Sequence, residues 1–308
     1  MKLTLRVKKR TDRPATPRTE SLIESIEVPV DGIHSLKIRW ISIGVQVAAY
    51  DGDVILVQEF ADRPLDDADR IHTKVESGCL TVSWRRNMQN IHGDDAPRKR
   101  LTVQLPRQLA KSLKYLDANL ISGDLAIDGV AVDDCQISLV SASLTAADLM
   151  TGKLNVSGVS SSIDLNGITA KKLNVETVSG SVEGDLLTRH ANVETVSGSV
   201  RLQTRSAMDE LNVETVSGSV RICANDAVEA FNVNTVSGGI HLLLPEEKGF
   251  RLHFHPGNGR LQCDFPTVIK NHWYIFGDGQ NVIQAETVSG HCTIEKNKQP
   301  ESNENHPE

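Results

Sequence analysis

Aromatic side chains are scarce here: Phe, Trp and Tyr make up 4% of 308 residues, against 39% hydrophobic overall. A core must then be built from small aliphatics, mostly Val, Leu and Ile. The five cysteines, Cys79, Cys135, Cys223, Cys263 and Cys292, are odd in number and scattered, with no CxxC pair. That pattern argues against a disulfide framework and fits a reducing compartment. No apolar run approaches the ~18 residues of a membrane-spanning helix. The opening MKLTLRVKKRTDRP is positively charged but has no apolar stretch of signal-peptide length behind it. A cytoplasmic location is the expectation from these two absences. The formal charge of -7 argues against a nucleic-acid binder, because phosphate contacts require a basic face. No G-x-S-x-G elbow, P-loop or H-E-x-x-H motif occurs, so neither an enzyme nor a cofactor is expected.

What the chain does have is repetition. NVETVSGSV occurs three times without change, at 174–182, 192–200 and 212–220, followed by NVNTVSGGI at 232–240 and AETVSG at 285–290. The glycine of VSG falls at Gly180, Gly198, Gly218 and Gly238, a spacing of 18 to 20 residues. The same step backwards reaches Ser161, Ala142 and Gly123 in weaker copies. Forwards it reaches Gly259 and then, after an insertion, Gly290. Within each unit Leu173 and Val175 share one face of a strand, with Asn174 and Glu176 on the other. Val178 is three positions after Val175, which suggests a bulge near Thr177 that would keep every valine inward. One such coil cannot bury enough apolar surface to stand alone, so coils must stack on neighbours. The fold class read from this pattern is all-β, a parallel β-solenoid of about 19-residue coils with a β-rich N-terminal cap.

Stacking in register brings like residues together. Glu176, Glu194 and Glu214 would form a column about 4.8 Å apart, with roughly 1 kcal/mol of repulsion per neighbouring pair even in water. That column must face solvent or meet cations. Arg201 and Arg221 would form a basic column on another face. These five residues are the candidate binding surface. His253 and His255, two apart on a strand, share a face as metal ligands sometimes do, with His241 and Cys263 one coil away on either side. No catalytic residue presents itself. The repeated Ser179, Ser197 and Ser217 have no unique His/Asp partner, and no single coil concentrates carboxylates as a polysaccharide-cleaving solenoid would.

The chain divides into a basic segment (1–21), degenerate β coils or a cap (22–104), regular repeats (105–296) and a polar tail expected to be disordered (297–308). KLTLRVKKR alternates Leu3, Leu5 and Val7 with Lys2, Arg6 and Lys8. It reads as an edge strand with a charged outer face, or as a basic anchor giving peripheral contact with an anionic membrane. Asp31-Gly32 and Asp51-Gly52 read as turns and Gly277-Asp278-Gly279 as a hairpin tip. Phe250, Phe254, Phe265, Trp273, Tyr274 and Phe276 are expected to close the last coils, with a ligand patch as the alternative.

The iterated LNVETVSGSV, the segment IHLLLPEEKGFRLH and the closing GDGQNVIQAETVSGHCTI resemble the "putative adhesin" family of bacterial β-strand-repeat domains of unknown function, over roughly residues 100–295 and more loosely from residue 25. The resemblance implies a binding or scaffold role, adhesin-like or linked to cell-envelope stress, and carries over no catalytic residue. The expected partner is a protein or peptide, with an envelope-associated protein among the candidates. A self-assembling structural solenoid is the alternative, and a polysaccharide-active enzyme a more distant one.

Overall fold

The structure is a computed structural model and describes residues 20–84 and 97–297. The segments 1–19 and 85–96 and the tail from 298 lie outside the described residues.

Most of the described residues are in strands. Among them the single α-helical piece, Arg107–Ala110, is four residues long. Two stacks of parallel strands run through the molecule. One carries the LNVETVS segments: Met150–Ser160, Ile163–Ser179, Val182–Ser197, Met208–Ser217 and Val228–Ser237, paired so that Asn155, Asn174, Asn192, Asn212 and Asn232 lie opposite one another. The other stack carries the short segments after each glycine, with Val182, Val200, Val220 and Ile240 in line. Val, Leu and Ile side chains from both stacks join one buried cluster. Shared register explains why the sequence repeats. Each coil offers its neighbour the same backbone donors and the same inward side chains.

The alternation within a repeat does not slip. Leu211 and Val213 are buried, Glu214 is exposed, Thr215 is buried and Val216 is exposed. The same holds for Thr177 and Val178, Thr195 and Val196, Thr235 and Val236, and Thr287 and Val288. The bulge expected near Thr177 is therefore absent, and the second valine of each repeat points outward. The change of direction comes later, at the glycine. A Cβ on Gly198, Gly218 or Gly238 would stand 1.9 Å from the carbonyl oxygen of the preceding glycine in the column. The corner is closed by backbone packing too tight for any side chain.

Sequence order and spatial order part company at the C-terminal end. The strands Asn281–Ser289 and Cys292–Lys296 lie directly on Val228–Ser237 and Ile240–Leu244. Phe250–Pro256 and Leu261–Cys263 then stack beyond them. The glycine column thus runs Gly238, Gly290, Gly259, and not Gly238, Gly259, Gly290 as the linear spacing suggests. Phe250, Phe265 and Phe276 pack at 4.8 to 5.6 Å between ring centroids and cover this end. The hairpin there pairs Val268–Lys270 with Trp273–Phe276. Its tip is Asn271-His272, both with positive φ. Gly277 to Gly279 form a tight turn between strands that do not pair with each other, in place of the expected hairpin tip.

At the other end Ser35–Trp40 and Gly44–Tyr50 add parallel strands onto Leu113–Asp128. Cys79–Trp84 and Lys99–Pro106 follow, also parallel. Beyond these, Ile71–Glu76, Val54–Ala61 and Ser21–Pro29 pair antiparallel, which ends the parallel progression. The turn at Asp31-Gly32 is present, with Gly32 at φ +73°, and residues 51–53 bend between strands. Lys99 is fully buried here, its ammonium paired with Glu59 and held 4.1 Å from the Trp84 ring centroid and 5.1 Å from that of Trp40. Burial lowers the Lys99 pKa, opposed by the Glu59 hydrogen bond and charge.

Candidate functional site

The outward positions of the first stack form parallel columns. The register places Ser138, Ser157, Glu176, Glu194, Glu214, Asn234, Glu286 and His255 in one line. The expected carboxylate column thus stands in register and gains Glu286, which the insertion hid in the sequence. Among the described residues no ion pair engages Glu176, Glu194, Glu214 or Glu286. Amides relieve part of the crowding. Asn192 Nδ2 donates to Glu194 Oε1 at 2.7 Å, and Asn234 Nδ2 reaches Glu214 Oε1 at 3.5 Å. Beside this column runs an amide ladder, in which Asn174 donates to Asn155 at 2.8 Å and Asn232 to Asn212 at 2.7 Å.

On the other side of the carboxylates, two residues along each strand, lies a column of outward valines, contrary to the inward facing expected of them. Val140, Val159, Val178, Val196, Val216, Val236 and Val288 are each 46–50% exposed. Seven stacked valines make an apolar stripe about 29 Å long at the usual strand spacing. Columns of valine and carboxylate line one open groove. Contiguous exposed apolar surface of this kind marks interaction sites more often than isolated exposed residues do. The signal was present in the sequence as strict alternation carried through Thr177. The apolar character of valine masked it.

Arg201 and Arg221 are opposite each other on the second stack, but neither is left without a partner. Arg201 pairs with Glu183 at 2.6 Å, and Arg221 lies 2.6 Å from His241 Nδ1, whose Nε2 is 2.9 Å from Glu295. Arg205 is bonded to Asp185, which raises its pKa. Among the described residues the arginines of this face therefore all have partners, unlike the carboxylates of the first stack.

His253 and His255 do share a face, with ring centroids 4.0 Å apart, and Trp273 lies 4.9 Å from His253. Desolvation first, then His255 and His272, lowers the His253 pKa. His241 and Cys263 are on the other stack, opposite Thr293 and Ile294, so the four side chains do not converge. Among the described residues no group of three or more His, Cys, Asp or Glu could hold a metal ion. Burial pushes the thiols of Cys135 and Cys292 up to about 12, which makes both poor nucleophiles. Among the described residues no helix is long and apolar enough to cross a membrane.

No curated protein matches the sequence significantly. Among solved structures, a "putative lipid binding protein" from Parabacteroides distasonis is 18% identical, with a TM-score of 0.54 over 91% of this chain and 97% of that one. A "putative adhesin" from Bacteroides fragilis is 15% identical, with a TM-score of 0.45 over 91% and 99%. A "putative cell adhesion protein" from Clostridium sporogenes is 13% identical, with a TM-score of 0.28 over 91% and 99%. The expected cytoplasmic location does not stand. Neither the opening residues nor the lack of a long apolar helix among the described residues is ground for placing the chain inside the cell. The sequence profile of the Toastrack DUF4097 family matches residues 33–259, most of the repeat and its N-terminal strands, and the chain belongs to that family.

Proposed function

We propose that this chain is a non-enzymatic, adhesin-like binding or scaffold protein. Its repeats form a closed parallel β-solenoid that presents the valine and glutamate columns to a protein or peptide partner with apolar and basic side chains. One observation carries the reading. Seven valines stay half exposed in line beside four carboxylates that meet no cation among the described residues. Valine favours strands wherever it points, but seven in line make a contiguous exposed apolar surface, which marks interaction sites in a way single exposed valines do not. The alternative of an end-to-end polymer draws less support, because antiparallel strands cover both ends of the parallel stack.

The test is fluorescence anisotropy with a labelled peptide of alternating Lys and Leu. Replacing Val196 and Val216 with Ser removes two half-exposed valines, about 0.7–1.5 kcal/mol each if the partner covers them. The expected loss is roughly 10- to 150-fold in Kd. Unchanged affinity in the Val196→Ser/Val216→Ser variant would mean that the stripe is not the interface.

A further inference from the structure

We propose that the valine stripe is occupied in the resting chain by the chain's own basic N-terminal segment, residues 2–10, folded back along the repeat. The inference rests on the reading of the stripe as a binding surface and names its first occupant.

The argument begins where the described chain begins. Glu20 is bonded to Arg100 at 2.8 Å, and Ser21 lies opposite Ala61, which lies opposite Lys99. The Lys99 carbonyl accepts from Ile43 N, and the Ile43 carbonyl accepts from Asp124 N. Gly123, next to Asp124, opens the same corner column that continues through Ser161 and Gly180. Glu20 and Ser21, where the described chain begins, therefore lie at the corner that follows the valine column, Val178 standing two residues before Gly180. From Ser21–Pro29 to Ile163–Ser179 is six strand steps, or about 29 Å. Lys9 is eleven residues before Glu20 and reaches up to about 40 Å. Lys2 reaches about 60 Å, past the last carboxylate of the column.

The chemistry matches as well as the reach. Before Asp12 the segment holds Lys2, Arg6, Lys8, Lys9 and Arg10 and no acidic residue. Leu3, Leu5 and Val7 alternate with Lys2, Arg6 and Lys8. The valine and glutamate columns are two residues apart along each strand, about 7 Å. An extended segment lying edge-on between them turns its apolar row to the valines and its basic row to the carboxylates. No other unpaired acidic column is available to it among the described residues. The salt-linked face around Arg201 and Arg205 already has its partners.

Carbodiimide coupling of the full chain, prepared as an equal mixture of ordinary and isotope-labelled protein, gives a direct readout. The expected products join Lys2, Lys8 or Lys9 to Glu176, Glu194, Glu214 or Glu286, with both halves of one isotope. These products should fall at least severalfold in the Glu194→Gln/Glu214→Gln variant, whose substitutions are at the surface. Absence of these links, or links only between differently labelled chains, would overturn the proposal. A second readout uses the Lys/Leu probe peptide. Neutralising Lys8, Lys9 and Arg10 with Gln frees the stripe and should tighten probe binding about tenfold, since a self-occupied site loses apparent affinity by its occupied fraction. Equal probe affinity of the two forms also counts against it. If the probe binds neither form, the reading of the stripe as a binding surface fails, and the coupling products still decide the present inference.

Discussion

Gly238 and Gly239 are neighbours in sequence, yet an alanine should have opposite effects at the two positions. A Cβ on Gly238 would stand 1.9 Å from the Gly218 carbonyl oxygen and 2.7 Å from its carbon, where about 3.3 Å or more is needed between carbon and oxygen. Two backbone bonds hold the corner: Gly218 N to Ser237 O at 3.1 Å and Gly238 N to Ser289 O at 3.3 Å. Opening the gap by more than 1 Å strains both, at about 0.5–1.5 kcal/mol each. Overpacking adds roughly 1–3 kcal/mol. Gly238→Ala should therefore cost about 2–6 kcal/mol. At Gly239 the nearest atom to a Cβ is the His291 carbonyl oxygen at 3.6 Å, an ordinary contact. There alanine restricts the unfolded chain and should stabilise by about 0.4–1 kcal/mol. Urea unfolding followed by circular dichroism checks both, comparing midpoints at equal slope. If the two variants unfold within about 0.5 kcal/mol of each other, the corner is not closed by backbone contact and the account of the glycine column is wrong.

Three further outcomes follow from particular side chains. Thr215 is buried and its Oγ1 has no hydrogen-bond partner among the described residues, so Thr215→Val should raise stability by about 1 kcal/mol; a loss in the same urea assay would show that the hydroxyl is satisfied. Lys99→Met leaves the Glu59 carboxylate buried without its partner and should cost about 3–5 kcal/mol. The double change Glu59→Leu/Lys99→Met should recover most of that, and failure to recover would place the cost in packing against Trp40 and Trp84 or in the buried Ile71 N–H that donates to Glu59 Oε2 at 3.2 Å. His253 is held below the ordinary value of 6.5 by desolvation and by His255 and His272, so the unfolded chain takes up that proton first as pH falls. Its stabilising contribution is present above about pH 6.5 and is lost as pH drops below it. Proton NMR should give His253 a midpoint below 6.5, and His253→Gln should flatten the stability of the C-terminal end between pH 7 and 5. A midpoint at or above 6.5 contradicts the packing described.

Much of the architecture is legible in the sequence because the repeat is nearly identical from coil to coil. The 18- to 20-residue step fixes which residues stack, and so the column of Glu176, Glu194 and Glu214 could be written down from spacing alone. The facing of a single strand was harder. Hydrophobicity argues that Val178 is inside, whereas backbone alternation puts Thr177 inside and Val178 out, and alternation prevailed because the strand stays paired on both sides through Thr177. A small β-branched Thr fits the tight corner beside the glycine, where its methyl can be buried. That one inversion converts a presumed core residue into the apolar half of the candidate site.

The sequence by itself determined the repeat, the parallel stacking and the likeness of each outward column, because every coil faces the same requirement from its neighbour. The tertiary structure alone decided which coil neighbours which at the C-terminal end. There the closing strands slip between Val228–Ser237 and Phe250–Pro256, since AETVSG matches the NVNTVSG corner better than HPGNG does. It also decided the burial of Lys99 between two tryptophans and the pairing of every arginine on the second stack. Local pattern fixes a residue's face within its own strand. Which charges meet, and which stay unmet beside the valines, depends on strands brought together from distant parts of the chain.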